Sequence, residues 1–165
     1  MKVSLSHGSI QHICCAKFFE SQEPELFIGT SYDHVLKGLP SLEEGFEKAI
    51  DGAAGDASLT GTLSLSAHPT KDQFFTASSV NQICCWSTEQ LLWRIQLVKR
   101  IDAVAIHPNG ELMAIGLESG DIIVATTADG IQLTSIPVSG SHINCLKYST
   151  GGMLVGSYSF SIHFN

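Results

Sequence analysis

Ala114-Ile115-Gly116-Leu117-Glu118, with Ile122 six residues beyond the glycine, is one of four copies of a short pattern. The others are Phe27-Ile28-Gly29-Thr30-Ser31 with Val35, Phe75-Thr76-Ala77-Ser78-Ser79 with Ile83, and Leu154-Val155-Gly156-Ser157-Tyr158 with Ile162. Each reads as a strand carrying a small residue, a tight turn, and a second strand opened by a β-branched residue. The small residues stand at 29, 77, 116 and 156, in steps of 48, 39 and 40. A period of about 40 filled only with short strands is that of the four-stranded blade of a β-propeller. The expected fold is all-β: a partial propeller of about three and a half antiparallel blades, with a rigid surface suited to binding.

Working backward from each copy, Thr62 to Pro69, Ile101 to Pro108, Ser141 to Tyr148 and Ile13 to Phe19 all run as first strands. The pairs His68-Pro69 and His107-Pro108 end two of them, since proline has no N–H to donate. Pro108-Asn109-Gly110-Glu111 is a turn signal, and Thr70 to Gln73 and Ser149 to Gly152 fill the same place in the neighbouring repeats. Leu91 to Leu97 and Gly130 to Ile136 read as fourth strands. The expected blades are roughly 8–55, 56–97, 98–138 and 139–165, with a loop or linker insertion over 39–61. Within that insertion the residues allow two readings. One is a fourth strand near Phe46 to Ile50, flanked by loop. The other is a short helix, because Leu42, Phe46, Ala49 and Ala53 share a helical face and Ser41 can cap it. Since rings close with four to eight blades, the chain reads as part of a longer product, its final strand at Ser161 to Asn165.

The bulk properties narrow the function. The 165 residues are 44% hydrophobic and 15% charged, which fits a packed core. A net charge of −7 argues against an electrostatic grip on nucleic acid or anionic membrane. Lys99-Arg100 is the only adjacent basic pair, and it reads as a solvated loop. No apolar run approaches the ~20 residues of a membrane span, and Met1-Lys2-Val3-Ser4 lacks the apolar stretch of a secretory signal. The cysteines are Cys14, Cys15, Cys84, Cys85 and Cys145. Adjacent strand residues point to opposite faces, so neither doublet offers two thiols to one metal. All five read as reduced packing residues of a cytoplasmic protein.

No catalytic, cofactor-binding or metal-binding residue is expected. His68 and His107 recur at equivalent places, which repetition of a structural turn explains. His7, His12, His34, His142 and His163 show no ligand spacing. Ser79, Ser119 and Ser157 fall in the hairpin-turn region, and no nucleophile elbow or phosphate loop is present. Trp86 and Trp93 read as core filling between blades. The chain is therefore expected not to be an enzyme and to take no cofactor or small-molecule substrate.

His107 to Gly116 and Cys84-Cys85-Trp86-Ser87 resemble the middle and the close of a WD-repeat blade, with Ser87 in place of the closing aspartate. The order of segments is more specifically similar to the echinoderm microtubule-associated protein-like family. Its features match Leu26 to Thr30, His34-Val35-Leu36-Lys37-Gly38, Ala67 to Thr76, Trp86-Ser87, Leu92-Trp93 and His107 to Gly116, in that order. The resemblance covers roughly residues 25 to 160. It implies a protein–protein interaction module with tubulin or microtubules as partner, associated with the cytoskeleton. The other reading is a general WD-repeat scaffold in a signalling or trafficking complex. Neither involves nucleic acid or membrane.

Overall fold

The computed structural model describes residues 10–16, 25–30, 34–38, 47–51, 62–87, 90–138 and 140–158, with side chains from residue 63 onward. Among the described residues there are fourteen strands and no helix. The first sheet holds β1 (Ile10–Ala16), β2 (Glu25–Thr30), β3 (His34–Gly38) and β4 (Glu47–Asp51). The second holds β5 (Thr62–Ala67), β6 (Gln73–Ser78), β7 (Gln82–Ser87) and β8 (Leu91–Gln96). The third holds β9 (Ile101–Ile106), β10 (Leu112–Leu117), β11 (Asp121–Thr126) and β12 (Gln132–Pro137). A fourth sheet holds β13 (Ile143–Tyr148) and β14 (Leu154–Tyr158). In every sheet the strands pair antiparallel in chain order.

The first strands β1, β5, β9 and β13 lie beside one another in succession, so the sheets stack around a common side. This is a partial WD-repeat-type β-propeller. Residues 47–51 settle the choice between strand and helix: Val35 pairs with Ile50, so the ladder with β3 prevails over the helical spacing. The flanking residues 39–46 and 52–61, and the strand expected at 161–165, lie outside the described residues.

The repeat pattern has a clear meaning in the register. Gly29 pairs with Val35, Ala77 with Ile83, and Gly116 with Ile122. The fourth copy is a correction. Gly116 opposes Ala103, and in the fourth sheet it is Ser157 that opposes the matching residue, Cys145. Ser157, not Gly156, thus takes the small-residue position, and it sits within β14 instead of a turn. The cause is a shorter first turn. His68 N bonds Gln73 O and His107 N bonds Leu112 O, whereas Ser149 N bonds Met153 O, one residue sooner.

The first three strands of the third sheet are largely buried on both faces, so β9, β10 and β11 read as nearly continuous apolar runs, whereas β12 is exposed along its length. Met113, Ile115 and Leu117 on one side of β10 join Ile101, Val104, Ile123 and Ala125 against Ala77 and Ile83 of the second sheet. On the other side Ala103, Ala105, Ala114 and Ile122 meet Ile143 and Leu146. A Cβ on Gly116 would come 2.6 Å from Ile143 Cγ2, so the next sheet's first strand leaves room there only for hydrogen. Full burial of each large aliphatic or aromatic side chain stabilises the fold by roughly 1.5–3 kcal/mol.

Candidate interaction surface

The two His-Pro pairs build one end of the stack. His68 is 2% exposed, and its Nδ1 accepts from Thr70 N (3.1 Å) and Lys71 N (3.0 Å). That fixes the neutral tautomer with the proton on Nε2, which faces the backbone of Gly110 in the next sheet. Burial first, and Lys71 second, hold the His68 pKa below the ordinary imidazole value, with the Gly110 backbone partly offsetting them. His107 repeats the arrangement nearer the surface. Its Nδ1 accepts from Asn109 N (3.2 Å), and its ring lies edge-on to Tyr148 at 4.9 Å between centroids. Asn109 Oδ1 accepts from Glu111 N (3.0 Å), which folds the Asn-Gly turn with Gly110 at φ +77°. Both histidines are thus turn anchors.

Of the two tryptophans, Trp93 packs toward the next sheet, while Trp86 is held within its own. Trp86 is 5% exposed and donates Nε1–H to Thr76 Oγ1 at 2.9 Å. Trp93 donates to Thr127 O of the third sheet at 3.1 Å and lies against Phe75 at 5.9 Å. Serine hydroxyls join the inner strands of the second and third sheets. Ser66 Oγ donates to Val104 O (3.0 Å), and Ser64 Oγ accepts from Val104 N (3.2 Å). Between the third and fourth sheets His142 Nδ1 lies 3.0 Å from Asp102 Oδ2, an ion pair only when the imidazole is protonated, and Arg100 Nε, beside β9, lies 3.1 Å from Asp102 Oδ1.

The remaining sequence candidates fall as follows. Lys99 Nζ meets Asp121 Oδ2 at 2.7 Å, and Ser119 Oγ bonds the same carboxylate oxygen, so the Lys99-Arg100 pair is neutralised by nearby aspartates. Those two partners hold the half-buried Asp121 carboxyl below its usual range. Cys84 and Cys85 are buried, and burial pushes the Cys85 thiol up to about 12. Cys145 departs from the packing expectation, because it is exposed. Among the described residues no group of three or more His, Cys, Asp or Glu is placed to hold a metal, and no helix is long and apolar enough to cross a membrane. The side chains of His12, His34, Cys14 and Cys15, and the whole of His7 and His163, lie outside the described residues.

Sequence reading missed the exposed apolar residues around the third and fourth sheets. Ile131, Leu133, Ile136 and Val138 are 58%, 57%, 46% and 48% exposed, and Met153, Val155 and Tyr158 are also exposed. The only advance signal was the uncharged run from Gly130 to Ser141. Among the described residues, this apolar zone is exposed alongside the polar turns.

No protein-family model matches the chain. Over 168 residues it is 31% identical to a Xenopus tropicalis protein named echinoderm microtubule-associated protein-like 4, a match covering 99% of this chain and 17% of that protein. It is 29% identical over 143 residues to human echinoderm microtubule-associated protein-like 3, covering 84% of this chain and 15% of the relative. A Schizosaccharomyces pombe protein named pre-mRNA-processing factor 19 is 30% identical over 89 residues, covering 53% of this chain and 18% of that protein. The chain spans about a sixth of the length of the microtubule-associated relatives it matches. With three four-stranded sheets and one two-stranded sheet among the described residues, and likeness along nearly its entire length, the chain belongs with the echinoderm microtubule-associated protein-like family as a WD-repeat propeller segment.

Proposed function

We propose that this chain is a non-enzymatic protein–protein interaction module that docks on microtubules, working in the cytoplasm at the cytoskeleton. The observation that carries the reading is the match along 99% of the chain to a relative named as microtubule-associated. The packing supports it: turns anchored by His68 and His107 and blades joined through Val104 hold the surface loops rigid. A preformed surface binds without losing loop entropy, so shape complementarity alone can give affinity. The blades would fall near 8–55, 56–97, 98–138 and 139–165.

The mechanism is contact without bond making. A chain of net charge −7 gains nothing from long-range attraction to the acidic surface of a microtubule. Docking would therefore rest on short-range fit, with little dependence on salt. Co-sedimentation with taxol-stabilised microtubules at low and moderate salt tests this. Pelleting that saturates and persists on raising the salt supports it; a chain that stays in the supernatant under both conditions overturns it.

The partial match to pre-mRNA-processing factor 19 favours a second reading, a WD-repeat scaffold for another protein complex. Failure to pellet together with recovery of a defined complex on the immobilised chain would select it.

A further inference from the structure

Asn109-Gly110 is the only Asn-Gly pair in the chain, and the pair carries a reaction of its own. Gly110 N can attack Asn109 Cγ. A C–N bond then forms, the Cγ–Nδ2 bond breaks, and Nδ2 leaves as ammonia with the proton from Gly110 N. Water opens the resulting succinimide at one of its two carbonyls, leaving aspartate or isoaspartate at position 109. A glycine that lacks Cβ leaves the approach of its nitrogen unhindered. In the fold, however, every reacting group is held. Gly110 N donates to His107 O at 2.8 Å. Asn109 Nδ2 donates to Glu111 Oε2 at 3.0 Å. Asn109 Oδ1 accepts from Glu111 N at 3.0 Å and lies 2.7 Å from His107 Nδ1. The bond from Gly110 N to His107 O closes a turn centred on Pro108 and Asn109. Asn81 is the only non-glycine residue with positive φ among the described residues, so this turn is type I. Its second central residue has ψ of about 0°. At that angle Gly110 N eclipses the nitrogen of Asn109 and stands turned away from Cβ and Cγ. Ring closure needs a large rotation of ψ, which breaks the bond to His107 O.

We propose that Asn109 is a deamidation site gated by its own turn. Closed, the turn withholds Gly110 N from Asn109 Cγ. Opened, it lets the succinimide form, and the isoaspartate product then keeps the turn from closing again. The consequence reaches beyond the turn because of what rests on it. The His68 ring of the second sheet lies against Gly110. Thr127 Oγ1 donates to Gly110 O, and Thr127 N donates to Glu111 O. Trp93 of the second sheet donates to Thr127 O. Isoaspartate routes the main chain through Cβ and so lengthens it by one carbon before Gly110. That displaces Gly110 from the His68 ring and from Thr127, and it loosens the junction between the second and third sheets. The other pair of this kind among the described residues, Asp129-Gly130, is chemically quieter. Hydrogen bonds from Thr126 Oγ1 and then Ile131 N hold the Asp129 carboxyl below its usual range, and a carboxylate is a poor electrophile.

The test follows conversion at position 109 by peptide mapping that resolves aspartate from isoaspartate. The full chain is incubated at mildly alkaline pH, folded and in urea. Conversion should be several-fold slower in the folded chain. Equal rates in the two conditions, or no conversion in urea, overturn the proposal. Pro108→Gly frees φ at the first central position of the turn. It should speed conversion several-fold in the folded chain and leave the rate in urea unchanged. The gain should exceed what the variant's loss of global stability accounts for, since local opening is the gate. A gain that only matches that loss makes unfolding of the whole chain the gate, and the proposal fails. Folded chain separated in its isoaspartate form should melt at a lower temperature than the unmodified chain. Identical melting would show that the junction does not depend on this turn and would overturn the consequence drawn for it.

Discussion

The imidazole of His68 in the second sheet lies directly over Gly110 in the third: a Cβ added to Gly110 would come 2.3 Å from His68 Cε1 and 2.6 Å from Nε2. The relationship recurs one blade on, where a Cβ on Gly152 would come 2.5 Å from His107 Nε2. Both glycines also have positive φ, +77° and +81°. The histidine that anchors each turn is thus packed by the glycine of the following turn.

Gly110→Ala should therefore be among the most damaging single-methyl substitutions in the chain. It combines a left-handed backbone position, ~1–3 kcal/mol, with a collision against a buried ring. In a cycle with His68→Ala the steric part should disappear while the backbone part remains, giving a non-additive pair in urea unfolding. Equal cost of Gly110→Ala with and without the ring would refute the contact.

Thr76→Val keeps the shape of the side chain but leaves Trp86 Nε1–H buried with no acceptor. The expected loss is about 1–3 kcal/mol, read as a lower denaturation midpoint with an unchanged slope. Thr76→Ser, which restores the hydroxyl, should recover most of that loss.

Acid should weaken the fold through His68. Its folded pKa is lowered by burial, so between that value and the ordinary ~6.5 the unfolded chain binds the extra proton. Stability is then fully present above about 6.5 and falls as the pH drops below it. Protonation of Nδ1 would also break both turn bonds. His68→Asn, which keeps an acceptor but does not titrate, should flatten the melting temperature between pH 6.5 and 5 relative to the parent. Parallel pH profiles for the two chains would exclude His68 as the source.

Thiol labelling should separate Cys145 from the interior pair. Cys145 is exposed, whereas Cys84 and Cys85 are fully buried and burial raises the Cys85 thiol to about 12. Cys145→Ser should remove one fast-reacting equivalent from the native chain, and Cys85→Ser should remove none. Fast modification of Cys85 before unfolding would contradict the packing of β7.

The blade period was legible because it rests on local chemistry: small residues, turn formers and β-branched residues at fixed offsets. The Asn109-Gly110 turn is open to the same reading, whereas residues 47–51 allow both strand and helix until the ladder with β3 decides. What was not legible depended on contacts between sheets. Gly156 looked like the fourth small residue because counting by 40 cannot detect a first turn shortened by one residue. Cys145 looked like packing because its burial depends on what lies on the far side of the fourth sheet. The outer apolar residues Ile136 and Val138 read as ordinary strand residues, since their exposure is a property of the neighbouring sheet, not of β12.

Val104 shares its main chain with two uncharged serine hydroxyls, whereas Asp102 reaches forward to an imidazole. The two junctions consequently obey different controls. Dissolved ions leave the hydroxyl seam untouched, whereas the polar contact to the fourth sheet is an ion pair, and open to screening, only when His142 is protonated.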